Sequence, residues 1–107
     1  IFRYVRYPIP AWFYKTKAWF FNIDTDRAIV SELQTEPWVP EGTLSNLDFD
    51  EFDKSFSIKQ FESNLQFAIN VDFKQTYMWG VEWWYLQKQM DHPEYWDLAR
   101  SVFRNAE

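Results

Sequence analysis

Apolar and polar positions alternate with different periods along the chain, and each period predicts a secondary-structure element. Residues 11–21, AWFYKTKAWFF, repeat apolar side chains every three or four positions, which predicts a helix. Residues 28–34, AIVSELQ, form a short apolar and β-branched run, which predicts a buried strand. Two prolines end that run, so residues 38–56 are predicted to form a long loop. The helical spacing of the first segment places on one face Trp12, Phe13, Thr16, Trp19 and Phe20.

The second half of the chain predicts another helix, another strand and a last helix. Ser57 and Gln60 have the spacing of a capping box, so a helix is predicted to begin there. Residues 75–81, QTYMWGV, predict the second strand. A second capping-box spacing, at Asp91 and Glu94, predicts the start of the last helix. The apolar face of the earlier helix is predicted to hold Ile58, Phe61, Leu65, Ala68 and Ile69, and the last helix is predicted to bury Tyr95, Leu98, Ala99, Val102 and Phe103.

This order of helix, strand, helix, strand and helix places a crossover helix between strands near 28–34 and 75–81. Strands joined in this way pair in parallel, which predicts an α/β fold. Two parallel strands do not form a stable sheet by themselves, and a complete TIM (β/α)8 barrel needs about 250 residues. We therefore predict that residues 1–107 are a single partial domain, the C-terminal fragment of such a barrel. It would supply the last two βα units and the preceding helix.

Composition narrows the classes of function that remain. Aromatic residues make up 22% of the chain, which argues against disorder. The two glycines cannot build a glycine-rich phosphate loop, and a chain without cysteine has neither a disulfide nor a thiolate metal site. A net charge of −5 argues against a nucleic-acid partner. No apolar run approaches the roughly 20 residues of a membrane span, which argues against a membrane protein. The cellular compartment stays open.

Acidic and polar side chains collect at the end of the first predicted strand. A face that changes from apolar to polar toward the carboxyl end of a strand is typical of the mouth of a parallel barrel, where active sites lie. A buried carboxylate is costly unless it is paired or used, so Glu32 and Glu36 are candidate site residues, with salt bridges at a loop edge as the structural alternative. Strand alternation puts Ala28, Val30, Glu32, Gln34 and Glu36 on one face, and on the other face, toward the helices, Ile29, Leu33 and Thr35.

Two stretches together resemble a known group of enzymes. SELQTEPW at 31–38, followed by YMWGVEWWY at 77–85, is similar to the closing part of clan A glycoside hydrolase barrels. Within that clan it is similar to cellulase-like and β-galactosidase-like bacterial proteins. The resemblance implies retaining hydrolysis of β-linked oligosaccharides or glycosides without a cofactor. It implies Glu32 as the nucleophile and Trp79 as the tryptophan that stacks on the sugar.

The catalytic pair is incomplete in this resemblance. Glu36, in TEPW, competes with Glu32 for the role of nucleophile. The two glutamates lie about 13 Å apart along an extended strand, whereas retaining hydrolysis uses carboxyl groups about 5–5.5 Å apart. The acid/base glutamate that the family carries on strand four is absent from this sequence. The resemblance thus implies that the remainder of the barrel lies upstream and that the isolated chain does not catalyse.

Further residues are candidates for substrate binding. Gln34 and Glu36 would orient the nucleophile or bind sugar hydroxyl groups. Glu82 could hydrogen-bond a sugar, and its alternative is a structural bond to the backbone or to an arginine. Trp38 and Trp83 could stack on sugar rings, and the alternative for such aromatic residues is packing in the core.

Metal and triad chemistry find little support in the sequence. The acidic run DFDEFD at 48–53 lacks the glycine and the distal glutamate of a calcium loop, which favours a solvated loop. His92 is the sole histidine, and no second residue supports a metal site or a catalytic triad around it. We predict no metal site.

Two other functions remain open. A non-catalytic carbohydrate-binding protein would use the same aromatic cleft. A peripheral membrane or partner-docking module would use residues 1–21, which hold four cations and no acid among many aromatic side chains. The alternative for that segment is an ordinary amphipathic helix with cations at its rim.

Overall fold

A computed structural model of the chain describes residues 8–38 and 49–106. They form a mixed α/β structure in which two strands pair in parallel, as predicted. In chain order the elements are helix α1 (Ala11–Phe20), a 3-10 turn (Thr25–Arg27), strand β1 (Ile29–Gln34), helix α2 (Phe49–Ser55), helix α3 (Ile58–Val71), strand β2 (Gln75–Trp79), helix α4 (Val81–Gln89) and helix α5 (Glu94–Asn105).

The two strands do not pair in a single register. Ile29 and Val30 pair with Gln75 and Thr76, but the next pair joins Leu33 to Met78, so β1 holds one extra residue between them. Such a bulge shifts the side-chain alternation of the strand. Leu33 is buried and faces the helices as predicted, and Val30 also packs against the core. Ile29, predicted on the helix side, is 49% exposed, because the extra residue reverses the alternation.

Helix α3 follows its predicted start closely. The Ser57 hydroxyl accepts a hydrogen bond from the Gln60 backbone N–H at 3.2 Å, which satisfies a free donor of the first turn. Phe61 and Leu65 are buried as predicted. Ile69 was predicted on the buried face, but its side chain is 65% exposed. The buried face of α3 instead continues through Ala68 to Val71, at the end of the helix.

Three predicted boundaries are wrong. Strand β2 ends at Trp79 rather than at 81, because Gly80 has a φ of 140° and is the N-cap of α4. The loop predicted for residues 38–56 contains helix α2, while residues 39–48 lie outside the described part. Helix α5 begins at Glu94 without the predicted capping box, since its N-cap is Pro93 and no side chain caps it.

The core lies between one face of the sheet and the helices that follow β1. Phe61 stacks on Trp84 with ring centroids 5.4 Å apart, an arrangement that contributes about 0.5–1.5 kcal/mol beyond burial. The Tyr95 hydroxyl donates a hydrogen bond to the Phe56 carbonyl at 2.9 Å, which ties α5 to the end of α2. Phe103, predicted to be buried by α5, is 56% exposed. The buried cluster comprises Leu33, Phe52, Phe56, Phe61, Leu65, Trp83, Trp84, Tyr95 and Ala99.

The other face of the sheet is not covered by any described helix. Tyr77 and Trp79 flank Met78, which packs against the core, so alternation points them to the opposite side. Tyr77 is 55% and Trp79 51% exposed. Together with Ile29, they give the open face of the sheet an apolar surface, where water contacts side chains typical of strands buried on both sides.

Candidate active site at the strand ends

The carboxyl ends of β1 and β2 meet at one edge of the sheet. The last residues of the strands, Gln34 and Trp79, are paired in the register. The chain after β1 carries Glu36, and the chain after β2 carries Glu82 in the first turn of α4. Parallel α/β proteins place their binding sites at this edge, because the loops that leave the strands gather there.

Thr35 fixes the segment that follows β1. Its backbone N–H and its hydroxyl both donate to the Trp79 carbonyl, at 2.9 and 2.6 Å. Its own carbonyl accepts a hydrogen bond from the Trp84 indole N–H at 2.8 Å. Thr35 is fully buried, so water does not compete for these bonds. The sequence predicts that Thr35 faces the helices, but it gives no signal that this residue joins both strands to α4.

Gly80 allows the two strand ends to approach each other. A Cβ atom at this position would lie 2.8 Å from the Thr35 carbonyl oxygen and 3.0 Å from the Glu36 Cβ. Its φ of 140° is also a conformation that only glycine adopts readily. The glycine therefore determines both where β2 stops and how closely Glu36 sits to it.

Glu36 and Glu82 come together although they are far apart in sequence. Burial raises the pKa of the Glu36 carboxyl, and the negative charge of Glu82 raises it further. The Gln34 side-chain amide donates to the Glu36 carbonyl at 2.9 Å, which restrains the backbone at this glutamate. Asn64 of α3 donates in turn to the Gln34 carbonyl at 2.8 Å. The arrangement favours a Glu36 that keeps its proton to higher pH than a free glutamate.

Glu32 occupies a different position from the other two acids. It is exposed and lies within β1, in the irregular stretch between Val30 and Leu33. An ion pair joins Lys15 to Asp72 at 3.4 Å and involves none of the three glutamates. The salt bridges that were the structural alternative for Glu32 and Glu36 are thus not formed with any described residue.

The aromatic candidates divide into exposed and buried side chains. Trp79 is half-exposed at the end of β2, and Trp38 is 68% exposed after β1. Trp83 is fully buried, with its ring 4.3 Å from Phe52 and in edge contact with Tyr95. A ring without exposed surface cannot stack on a ligand, so Trp83 belongs to the core and not to this site.

Metal ligands do not gather in the described part of the chain. Across residues 8–38 and 49–106, no group of three His, Asp or Glu side chains could hold a metal ion. Asp48 and the side chain of Asp50, from the acidic run, lie outside what the structure describes. Within the same two ranges, every helix is too short or too polar to cross a membrane.

The fold and the site place the chain in a broad structural class. The chain is a mixed α/β protein whose parallel strands end at a cluster of acidic and aromatic side chains. Neither a protein family, nor a curated protein, nor a solved structure matches it. The geometry at the strand ends is therefore the feature that indicates a function.

Proposed function

We propose that the chain is the C-terminal part of a (β/α)8 barrel that hydrolyses β-linked glycosides with retention of configuration. The observation that carries this proposal is the meeting of Glu36, Glu82 and Trp79 at the carboxyl ends of two parallel strands. Acidic groups beside an exposed aromatic ring match the needs of glycoside hydrolysis, which uses carboxyl groups on either side of a bound sugar. The resemblance of SELQTEPW and YMWGVEWWY to clan A enzymes points the same way.

The open face of the sheet supports the proposal that the chain is part of a barrel. Helices cover one face of β1 and β2, while Ile29, Tyr77 and Trp79 are about half-exposed on the other. In a closed barrel that second face points inward and is filled by side chains from the remaining strands. Glu32 is exposed and directly precedes Leu33, which faces the core, and this supports a Glu32 side chain on the open face.

The three glutamates suit different roles. A carboxylate that attacks the anomeric carbon must be ionised. Glu36, whose pKa is raised by burial and by Glu82, suits a carboxyl that keeps its proton and donates a hydrogen bond to a sugar oxygen. We therefore assign Glu32 as the nucleophile, and Glu36 with Glu82 as groups that bind hydroxyls beside it. The acid/base carboxyl would come from the rest of the barrel.

Trp79 is the proposed platform for the sugar ring. Pyranose rings present an apolar C–H surface, which favours contact with an aromatic face. Trp79 lies at the strand end with half of its surface free, and Trp38 is a second exposed ring after β1. No cofactor is needed for this chemistry.

The test uses the complete protein and an aryl β-glycoside panel. We expect Glu32→Gln to remove nearly all turnover, and a 2-fluoro glycoside to label Glu32 covalently, as read by peptide mass spectrometry. Glu62→Gln, an exposed change on α3, is the matched control and should keep full activity. Label on Glu36 would reassign the nucleophile, and full turnover in both Glu32→Gln and Glu36→Gln would end the proposal.

A non-catalytic carbohydrate-binding protein is the second candidate. The observation that favours it is the exposure of Trp38 and Trp79 beside polar groups, which is enough for binding without chemistry. In that case oligosaccharide binding, measured by calorimetry, would survive Glu32→Gln and fall in Trp79→Ala. Turnover by the unmodified protein would exclude this candidate.

A further inference from the structure

An open groove of about 630 Å³ runs between α4 and α5, and its described lining contains none of the glutamates of the strand-end site. Its volume is within the roughly 300–1,000 Å³ of pockets that hold small ligands. The apolar lining comes from both helices, and its main side chains are Trp84, Trp96, Ala99 and Phe103. We call this feature the α4/α5 groove.

The spacing of residues on α5 explains why the groove exists. Trp96, Ala99 and Phe103 lie on one face of the helix at helical spacing. Ala99 is the small residue between two large ones, so it leaves a gap between their rings. Trp84, on α4, borders the gap from the other side. The groove is thus a consequence of one small side chain in a stripe of large aromatic ones.

Cations surround this apolar gap. Arg100 and Arg104 are exposed, lie one turn apart on α5 and both line the groove. Neither forms an ion pair with another described residue. Lys88 of α4 is the third cation, with its Nζ 4.9 Å from the centre of the Trp96 ring. Among the described residues no acidic side chain lines the groove, although the chain has a net charge of −5.

We infer that the α4/α5 groove binds an amphipathic organic anion, a carboxylate joined to an apolar body. The carboxylate would pair with Arg100 and Arg104, since guanidinium groups bind carboxylates through two parallel hydrogen bonds. The apolar body would lie over Ala99 and against the half-buried ring of Trp96, with the buried Trp84 at the base of the groove. This inference is independent of the proposed function, because the groove contains none of the residues assigned to the sugar site.

The test is calorimetric titration of the complete protein with decanoate. We expect saturable binding at one site, and a loss of about tenfold or more in affinity in the double variant Arg100→Gln/Arg104→Gln, because two charge-assisted bonds are lost. Arg27→Gln, an exposed change on the 3-10 turn, is the matched control and should bind as the unmodified chain does. Heteronuclear spectra should place the perturbation at the indole N–H groups of Trp84 and Trp96.

Three outcomes would overturn the inference. Decanol binding as tightly as decanoate would mean that the arginines do not recognise the carboxylate. Perturbation confined to the indoles of α1, at Trp12 and Trp19, would place the ligand elsewhere. An acidic amphipathic helical peptide that binds in an arginine-dependent way, with no saturable decanoate binding, would make the groove a protein-docking surface instead.

Discussion

The strand-end site and helix α1 are both rich in aromatic residues, yet the chain holds them in opposite ways. At the strand ends, Thr35 is fully buried and hydrogen-bonded to both strand β2 and helix α4, and Gly80 is in close contact with it. On α1, the exposed fractions of Trp12, Trp19 and Phe20 are 64, 76 and 74%. Aromatic content alone therefore does not identify a site, whereas hydrogen bonds and close backbone contacts identify the region that is held in place.

Helix α1 contacts the rest of the structure through its less aromatic side. Ala18 is buried, and Tyr14 meets Phe67 of α3 with ring centroids 5.8 Å apart. The aromatic stripe faces away from α3, with Lys15 and Lys17 on its flanks. If segment 1–21 docks on a membrane or on a partner, this surface is the one that would make the contact. In a closed barrel the rest of the protein would cover it. Salt-sensitive co-sedimentation with anionic vesicles would support the membrane role.

The substitution with the largest expected effect lies at the closest backbone contact of the strand-end site. Gly80→Ala should lower the free energy of unfolding by about 2–3 kcal/mol, because alanine is strained at this φ and its Cβ would meet the Thr35 carbonyl. Urea denaturation followed by circular dichroism measures the change. Ser31→Ala, exposed in β1, is the control and should stay within about 0.5 kcal/mol. A Gly80→Ala variant as stable as this control would contradict the close contact.

A matched pair of tryptophan substitutions compares the two regions directly. Trp84→Phe should cost about 1–3 kcal/mol, because the buried Thr35 carbonyl loses the indole N–H that it accepts from. Trp19→Phe should change stability by less than about 0.5 kcal/mol, since the side chain is exposed. Thermal unfolding at one protein concentration measures both. Equal losses of stability in the two variants would mean that α1 is covered in solution, which would support a binding partner at this helix.

The third comparison removes one hydroxyl from each region. Thr35→Val keeps the shape of the side chain but loses its bond to the Trp79 carbonyl, so it should cost about 1 kcal/mol. Thr16→Val makes the same change on the exposed side of α1 and should be within about 0.5 kcal/mol of neutral. Urea denaturation measures both changes in the free energy of unfolding, from the shift in midpoint at an unchanged dependence on urea concentration. A neutral Thr35→Val would show that the backbone N–H of Thr35 alone fixes the strand ends.

Local patterns in the sequence predicted the elements whose causes are local. The Ser57 cap, the short apolar run of β1 and the crossover between the strands follow from neighbouring residues, and each is confirmed. The end of β2 at Gly80 was missed because valine at 81 extends an apolar pattern, and the sequence does not reveal a positive φ. The irregular register of β1 was missed for the same reason, since it depends on pairing with β2.

The candidate site was predictable only in part. Position at the end of the first predicted strand indicates Glu36, and the resemblance to clan A enzymes implies Trp79. Other features depend on contacts between segments that are distant in sequence. These features are the effect of the Glu82 charge on the pKa of Glu36 and the bonds by which Thr35 links β1, β2 and α4. Burial of Trp83 rather than Trp79 likewise depends on β2 stopping at Gly80, after which helical spacing turns Trp83 toward the core.

The prediction with the smallest expected effect concerns the pH dependence of stability that Glu36 and Glu82 cause. Because the pKa of Glu36 is raised in the folded chain, its contribution to stability is fully present below the ordinary value and is lost as pH rises through the folded value. Glu36→Gln should therefore be neutral near pH 4 and stabilise the chain by about 0.5 kcal/mol at pH 7, because it removes the cost of burying the charge and, second, the repulsion from Glu82, both of which solvent weakens at this partly exposed site. Glu82→Gln should give a smaller gain, since burial is the first cause of the shift and the charge of Glu82 the second. Urea titrations at both pH values measure the gains, and Glu62→Gln serves as the exposed control. A gain for Glu36→Gln that is equal at both pH values would mean that the amide improves packing and that the two carboxyls are not coupled.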